Sequence, residues 1–375
     1  MKIGLVGAGY VSDFYASTLP LHPELEITGV HDRCHERGDA MAERLGAVAH
    51  QTLERLLSSG DVDVVVNLTN PGSHESVTRA ALEAGIHVYS EKPLASSMEA
   101  ARDLAELAAS RDLHLVSAPC SLLGETAQTL GQLLRRETVG TVRAVYAEMD
   151  DGMLHRMDFR SWRNSMGLPW PYRDEIAVGC TAEHAGYYLP WLVAFFGPAV
   201  EVTAFASVQV PDKVVGEDFD EVGPDLTIGC IRFESGVVAR LTCSVVAPHD
   251  HSLRIMGDRG VLSVEDCWDY RSPIKSRMWR TIRRRTILTP VPRRHKLAES
   301  GAPRAKTGSV ASMDYWRGVA DLADAIAADR TPRLSTELGL HIQELTMAIE
   351  SGGFGRGVHS MTTTCEVPEP MPWAR

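Results

Sequence analysis

No run of apolar residues in this 375-residue chain approaches the length a helix needs to cross a bilayer, so no membrane partner is expected. No signal peptide is expected either, because Lys2 leads straight into Ile3-Gly4-Leu5-Val6, which reads as a first strand. The seven cysteines, at positions 34, 120, 180, 230, 243, 267 and 365, contain no C-x-x-C spacing. So odd and scattered a set predicts reduced thiols in a cytoplasm. It gives no support for a zinc site, and no metal centre is expected. Positive charge is in deficit: 38 Lys and Arg face 49 Asp and Glu, a net −11. Binding a phosphate backbone needs a basic surface, which excludes a general nucleic-acid binder.

What is present is the composition of an ordinary globular protein, 44% hydrophobic and 23% charged, at a length that suits two domains. The first strand ends in Gly7-Ala8-Gly9-Tyr10-Val11-Ser12, and a helix is predicted from about Val11 to Leu19. Gly7 permits a tight turn, Gly9 lets the backbone approach a pyrophosphate, and the amides from Tyr10 and Val11 onward face the anion. Ser12 stands where the fingerprint has its third glycine. A second strand, Glu26 to Val30, leads to Asp32, about 20 residues past the turn, where an acid grips the adenosine ribose. Asp32 repels a 2′-phosphate and so favours NAD over NADP, while Arg33 beside it softens that preference.

Strand and helix then alternate. Asp63 to Leu68 reads as a strand buried on both faces. Thr69-Asn70-Pro71 ends it, and a helix runs from about Ser73 to Ala84. Ile86 to Tyr89 is the next strand, followed by Glu91-Lys92-Pro93, a helix over Met98 to Ala109 and a strand over Leu113 to Val116. This alternation predicts a doubly wound parallel sheet with ligands beyond the carboxyl ends of its strands. Beyond it, alternating strands at Val142–Met149, Val200–Val208, Leu226–Phe233, Val237–Val246 and Leu253–Val264 predict an α+β domain on a largely antiparallel sheet. The expected division is a dinucleotide-binding Rossmann domain over 1–120 and a substrate-binding and oligomerisation domain over 121–375.

At Glu91-Lys92-Pro93 the chain resembles the Gfo/Idh/MocA family (glucose–fructose oxidoreductase, inositol dehydrogenase and relatives), over nearly its whole length. Gly7-Ala8-Gly9 matches the family's cofactor turn. Thr69-Asn70-Pro71 with His74 is similar to its T-P-x-x-x-H stretch, with Asn70 inserted before the proline. Ala80 to Val88 followed by Glu91-Lys92-Pro93 is the most specific signature. Leu253 to Leu262 resembles a late hairpin, and Met313–Ile326 and Pro332–Ser351 its closing helices. The resemblance implies a large open sheet, a homodimer or homotetramer formed on its open face, and a catalytic Lys92 at the nicotinamide end. The chemistry is consistent, because oxidising a carbinol also requires its O–H proton to leave, and a lysine beside Glu91 can relay it.

The family's second signature is a helix carrying an Asp and, four residues on, a His. Counting back from Gly197 puts Glu183 in the Asp position and Tyr187 in the His position, with His184 displaced to just after the acid. Glu183 and Tyr187 are expected to share one helical face, with Thr181 as a cap. The general base is open among Glu183, His184 and Tyr187, the first two ranked ahead; Tyr188 is expected to be packing. Trp162 and Arg163, in an aromatic and arginine-rich span, are candidates for the wall near the cofactor. Arg271 to Lys306 holds twelve Lys or Arg and one acid, Glu299. It reads either as a clamp for an anionic substrate or as a mobile surface insertion.

The expected function is thus NAD-dependent oxidation or reduction of a secondary hydroxyl on a carbohydrate-like, possibly anionic, substrate. Two alternatives stay open: a lyase, glycosidase or epimerase that retains NAD and oxidises transiently, and a non-catalytic NAD-binding sensor or scaffold.

Overall fold

Near-continuous runs of branched apolar residues can be satisfied only by helices on both faces of a parallel sheet, and the N-terminal part folds that way. The computed structural model describes residues 1–213, 222–303, 313–353 and 357–375. Strands β1 (Lys2–Val6), β2 (Glu26–His31), β3 (Val48–Ala49), β4 (Val64–Asn67), β5 (His87–Ser90) and β6 (Leu115–Ser117) lie in the order β3-β2-β1-β4-β5-β6. Every pairing is parallel. The strand order reverses between β1 and β4, and the ligand crevice of such a sheet lies at that switch. Between the strands run α1 (Ser12–Thr18), α2 (His35–Leu45), α3 (Leu53–Leu57), α4 (Pro71–Glu83) and α5 (Met98–Ser110). Helix α4 begins two residues earlier than expected because Pro71 takes its first turn, where the missing N–H has no partner to lose. Strand β3 and helix α3 were not anticipated; two and five residues are too few to show a period.

The second half builds a ten-stranded sheet. Its strands are β7 (Val142–Asp150), β8 (Ala199–Ser207), β9 (Leu226–Phe233), β10 (Val238–Ser244), β11 (Leu253–Gly257), β12 (Gly260–Val264), β13 (Lys275–Ile282), β14 (Arg285–Leu288), β15 (Arg293–Arg294) and β16 (His359–Ser360). The order is β14-β13-β12-β11-β7-β10-β9-β8-β16, with β15 on β13. All pairings are antiparallel except β7 with β10. One face is covered by helices that include α8 (Cys180–His184) and α11 (Thr336–Glu350). The opposite face exposes Tyr146, Phe205 and Ile228. No helix among the described residues is long and apolar enough to cross a membrane.

The closing helices α10 (Arg317–Ala327) and α11 return to the first sheet. The Trp316 indole donates to the Tyr15 carbonyl (2.6 Å), and the Gln343 amide bonds the backbone of Leu94 and Ala95 (3.1 and 3.0 Å). These contacts hold the Lys92 loop against the second half of the chain.

Three expectations are corrected here. The continuous helix expected through Glu183 and Tyr187 is three pieces: α8, a 3-10 turn over Ala185–Tyr187, and α9 (Leu189–Phe196). Pro190 has no N–H to give the Gly186 carbonyl, so a continuous helix would break there. Thr181 does not cap; Gly179 precedes the helix and the Thr181 hydroxyl meets that of Thr227 at 2.8 Å. The basic stretch from 271 is ordered β-structure, not a loose insertion: β13, β14 and β15 extend the sheet edge. Its last residues, from 304, and the start of the C-terminal tail near Gly355 lie outside the described residues.

Candidate active site

The turn after β1 is shaped by its glycines. Gly7 has φ +99°, and a Cβ there would fall 2.7 Å from the Leu68 carbonyl oxygen. A Cβ on Gly9 would meet nothing, so this backbone faces open space where an anion can approach. Two cavities meet at that turn, sharing Gly9, Leu68, Thr69 and Asn70. The smaller, about 200 Å³, is walled by Asp32, Arg33 and Arg37; the larger, about 740 Å³, by Tyr10, Val11, Lys92, Trp162 and Arg163 among others. A dinucleotide has the length and polarity to span them, adenosine in the first and nicotinamide in the second.

Asp32 is buried at the end of β2. Its carboxylate accepts from the Ala8 N–H (2.7 Å), the Cys34 N–H (2.7 Å) and, more loosely, Arg37 (3.4 Å). It therefore pins the glycine turn, and still has lone pairs for a ribose hydroxyl. At the end of β4, the Asn70 amide donates to Asp174. His74 is 1% exposed and faces the Pro93 and Thr69 carbonyls with its two ring nitrogens, at 2.7 and 2.8 Å. Burial holds its pKa down. A neutral ring carries one proton, so one contact is a true hydrogen bond and the other a close approach. His74 thus ties the Thr69 loop to the Lys92 loop, with both ring nitrogens engaged on backbone carbonyls.

Lys92 sits just past β5, on the larger cavity's wall. Glu91 is fixed beside it, accepting from the Tyr15 hydroxyl (2.8 Å) and the Lys92 N–H (3.2 Å). The Lys92 ammonium is paired with Glu183 of α8. Burial works against this ammonium, but the Glu183 carboxylate above all, with Glu91, outweighs it and raises its pKa. Burial likewise opposes ionisation of Glu183, and Lys92 overcomes it, holding Glu183 below its ordinary value. Glu175, on α7 (Tyr172–Val178), is pushed well up by burial and by the Glu183 charge, which favours its protonated form beside Glu183. Lys92, Glu183 and Glu175 thus stand in a row, with charge favoured on the first two and disfavoured on the third.

The other expected residues fall around this row. His184 faces the Cys180 carbonyl through Nδ1 (3.1 Å) and the Asp151 carboxylate through Nε2 (3.4 Å). Asp151 is held far below its ordinary value: burial opposes this, but His184, His249 and His251 prevail. Tyr187 lines the cavity with its ring against Trp268, 5.4 Å between centroids, and burial drives its phenol upward. Although the helix breaks, Glu183, His184 and Tyr187 reach the same cavity. Tyr188 is packing, as expected: it is wholly buried and donates to the His251 carbonyl (2.5 Å). Trp162 packs on Trp170 and Phe159, and Asn164 and Ser165 fasten this loop to Tyr10 and Asp13 over the cofactor turn. The Arg163 guanidinium donates to the carbonyls of Arg160 and Trp162. None of the described basic residues from 271 on lines the cavity.

Sequence reasoning missed Glu175, Lys213 and Trp268, all on the cavity wall. Lys213 is nearly buried, 3.1 Å from Asp225. None belongs to a motif. Asp151, on the same wall, was missed as well.

A doubly wound sheet with a glycine turn, an acid ending β2 and a half-buried lysine on the switch-point cavity defines a nicotinamide-dependent oxidoreductase. Comparison with known proteins narrows this. The model of the oxidoreductase family with an NAD-binding Rossmann fold, Gfo/Idh/MocA, matches residues 1–118, and that of the Gfo/Idh/MocA C-terminal domain matches residues 127–263. The chain belongs to the Gfo/Idh/MocA oxidoreductase family. It is 26% identical over 275 residues to trans-1,2-dihydrobenzene-1,2-diol dehydrogenase of Bos taurus, covering 72% of this chain and 75% of that one. UDP-N-acetylglucosamine 3-dehydrogenase from Acidithiobacillus ferrooxidans shares the fold at TM-score 0.69 and 21% identity, over 94% of this chain and 97% of that one. A 3-ketoreductase from Actinomadura kijaniata, solved with TDP-benzene and NADP, does so at TM-score 0.72 and 19% identity, over 94% and 97%.

Proposed function

We propose that this chain reversibly oxidises a secondary hydroxyl of a sugar, cyclitol or nucleotide-sugar-like substrate, with Lys92 assisting the proton transfer. The observation that carries the reading is the Lys92 ammonium, half-buried and held by Glu183 on a cavity that shares its Gly9 and Leu68–Asn70 wall with the Asp32 crevice. Gly7, Gly9, Tyr10 and Val11 would hold the pyrophosphate, Asp32 and Arg33 the adenosine ribose. Thr69, Asn70, Pro71 and Glu91, with Trp162 and Arg163 opposite, would frame the nicotinamide end. When bound, the nicotinamide supplies the hydride acceptor at its C4.

The chain's own residues handle the proton. Lys92 binds the reacting oxygen, and as the carbinol proton moves onto its nitrogen one of its own passes to Glu183. Glu175 and His184 adjust the charge on either side of Glu183. Asp32 places a negative charge where NADP carries its 2′-phosphate, so NAD is our assignment; Arg33 and Arg37 on the same wall oppose it. We also place the chain in the cytoplasm, where its seven free thiols would stay reduced.

The test is turnover of a panel of sugars, cyclitols and nucleotide sugars, followed by nicotinamide absorbance and product analysis. Lys92→Ala is expected to keep cofactor affinity and to lose on the order of 10²-fold or more in kcat. Wild-type rates in that variant would sink the proposal. Conversion with no net change in absorbance would point instead to a retained cofactor and transient oxidation.

A further inference from the structure

The segment His249-Asp250-His251 runs opposite the end of β7. Asp150 and Asp250 exchange backbone hydrogen bonds of 3.0 and 2.9 Å, as an isolated antiparallel bridge. Side chains alternate across such a pairing, so the residues flanking this pair turn to a common face. Asp151, His249 and His251 meet there, offering one donor atom each within 4.8 Å of one another. Asp151 Oδ1 lies 3.8 Å from His249 Nδ1 and 3.6 Å from His251 Nε2.

His251 is the telling residue. Its side chain is fully buried, and neither ring nitrogen has a hydrogen-bond partner among the described residues. Buried donors and acceptors are rarely left so. Its Nε2 is aimed at Asp151, its Nδ1 faces Asp266 at 3.5 Å, and Trp268 packs edge-on against the ring at 4.3 Å.

We propose that Asp151, His249 and His251 bind one divalent first-row transition-metal cation of the zinc class. Imidazole and carboxylate are the donors such ions take. Bonds of about 2.0–2.1 Å in a tetrahedron set donor atoms roughly 3.4 Å apart, a few tenths of an ångström from the two separations to Asp151. Asp266 stands where an outer carboxylate orients a ligating histidine. Three protein ligands leave one position for a water or a substrate oxygen. Asp151 belongs to the wall of the Lys92 cavity, and its other oxygen faces His184, so the ion would stand beside the proposed chemistry. His249, exposed at the surface, provides the way in. Cysteine spacing could not announce such a site, because its ligands are a strand end and two alternate loop residues.

The experiment uses the full chain, stripped with a chelator, dialysed, and titrated with Zn²⁺ by equilibrium dialysis and with Co²⁺ by visible absorption. One equivalent of each is expected, with Zn²⁺ displacing Co²⁺. His249→Ala, at an exposed position, is expected to weaken binding on the order of 10²-fold with an unchanged melting curve, and Asp266→Asn by about 10–100-fold. No saturable uptake of either ion, or uptake unaltered in His249→Ala, overturns the proposal. Binding is read without turnover, so the result is independent of the proposed reaction.

Discussion

Lys92 and Glu183 are each charged against the preference of their surroundings, and each is charged because of the other. Removing one partner therefore has a calculable sign. In Glu183→Gln the carboxylate that favoured the Lys92 ammonium is gone while burial remains, so the Lys92 pKa falls. The limb of the kcat/KM–pH profile that reports loss of the ammonium is expected to move to lower pH, with a rate loss on the order of 10²-fold. An unmoved limb would mean that Glu183 does not set the state of Lys92. At the other end of the crevice, the assignment of NAD rests on one side chain. Asp32→Ala is expected to lower the ratio of NADPH to NADH dissociation constants by about tenfold or more, since the charge that repels the 2′-phosphate is lost and Arg33 and Arg37 stay. Fluorescence titration with both nucleotides reads this directly; a wild-type ratio below one would refute it.

At the scale of elements, the segment around the C-terminal strand is fastened largely by one side chain of α11, Glu344, with His341 beside it on Thr363 (2.9 Å). Glu344, nearly buried, accepts from the Thr362 N–H (2.8 Å) and hydroxyl (2.9 Å), the Thr363 N–H (2.8 Å) and His359 Nε2 (2.9 Å). Burial opposes its charge, but these donors bring its pKa down to about 2 from 4.5. A lowered carboxyl pKa stabilises the fold above the unfolded value and loses that contribution as pH falls through the folded one. Glu344→Gln is therefore expected to cost about 1–3 kcal/mol at neutral pH, and the gap to wild type should close between roughly pH 4.5 and 2. Thermal melts across that range check it; a gap independent of pH would show that the charge is not responsible. The same scale explains the broken helix at 185–188. The break was readable in Pro190, yet the family pattern of an acid and a residue four places on suggested one continuous face. The side chains converge on the cavity because the 3-10 turn redirects the chain, which periodicity cannot foresee.

For the whole molecule, the open face of the ten-stranded sheet sets the expectation of association. Phe205 and Ile228, opposite each other on β8 and β9, are 58% and 36% exposed. Apolar residues paired across an uncovered sheet are candidates for a subunit contact, and we propose a homodimer or homotetramer formed there. Sedimentation equilibrium is expected to show the oligomer for wild type and monomer for Phe205→Asp; a monomeric wild type at micromolar concentration would dispose of the idea. The division at residue 120 we propose as a functional one, cofactor on one side and substrate on the other. Because α10 and α11 pack onto the first sheet, residues 1–120 made alone should bind NAD weakly and melt without a cooperative transition.

The sequence by itself determined the local terms. Gly7 and Gly9, the buried runs of β1 and β4, Asp32 at its strand end and the Glu91-Lys92-Pro93 step each act over a few neighbouring residues, and so they were legible in order along the chain. Only the tertiary structure decided what those residues meet. Glu175 and Glu183 reach Lys92 from another half of the chain, His74 is spent on two carbonyls, and Asp151 finds His249 and His251 across a strand pairing nearly a hundred residues wide in sequence. Charge and hydrogen bonding depend on distance in space, and a pKa or a metal site is a property of such distances; no spacing along the chain encodes them.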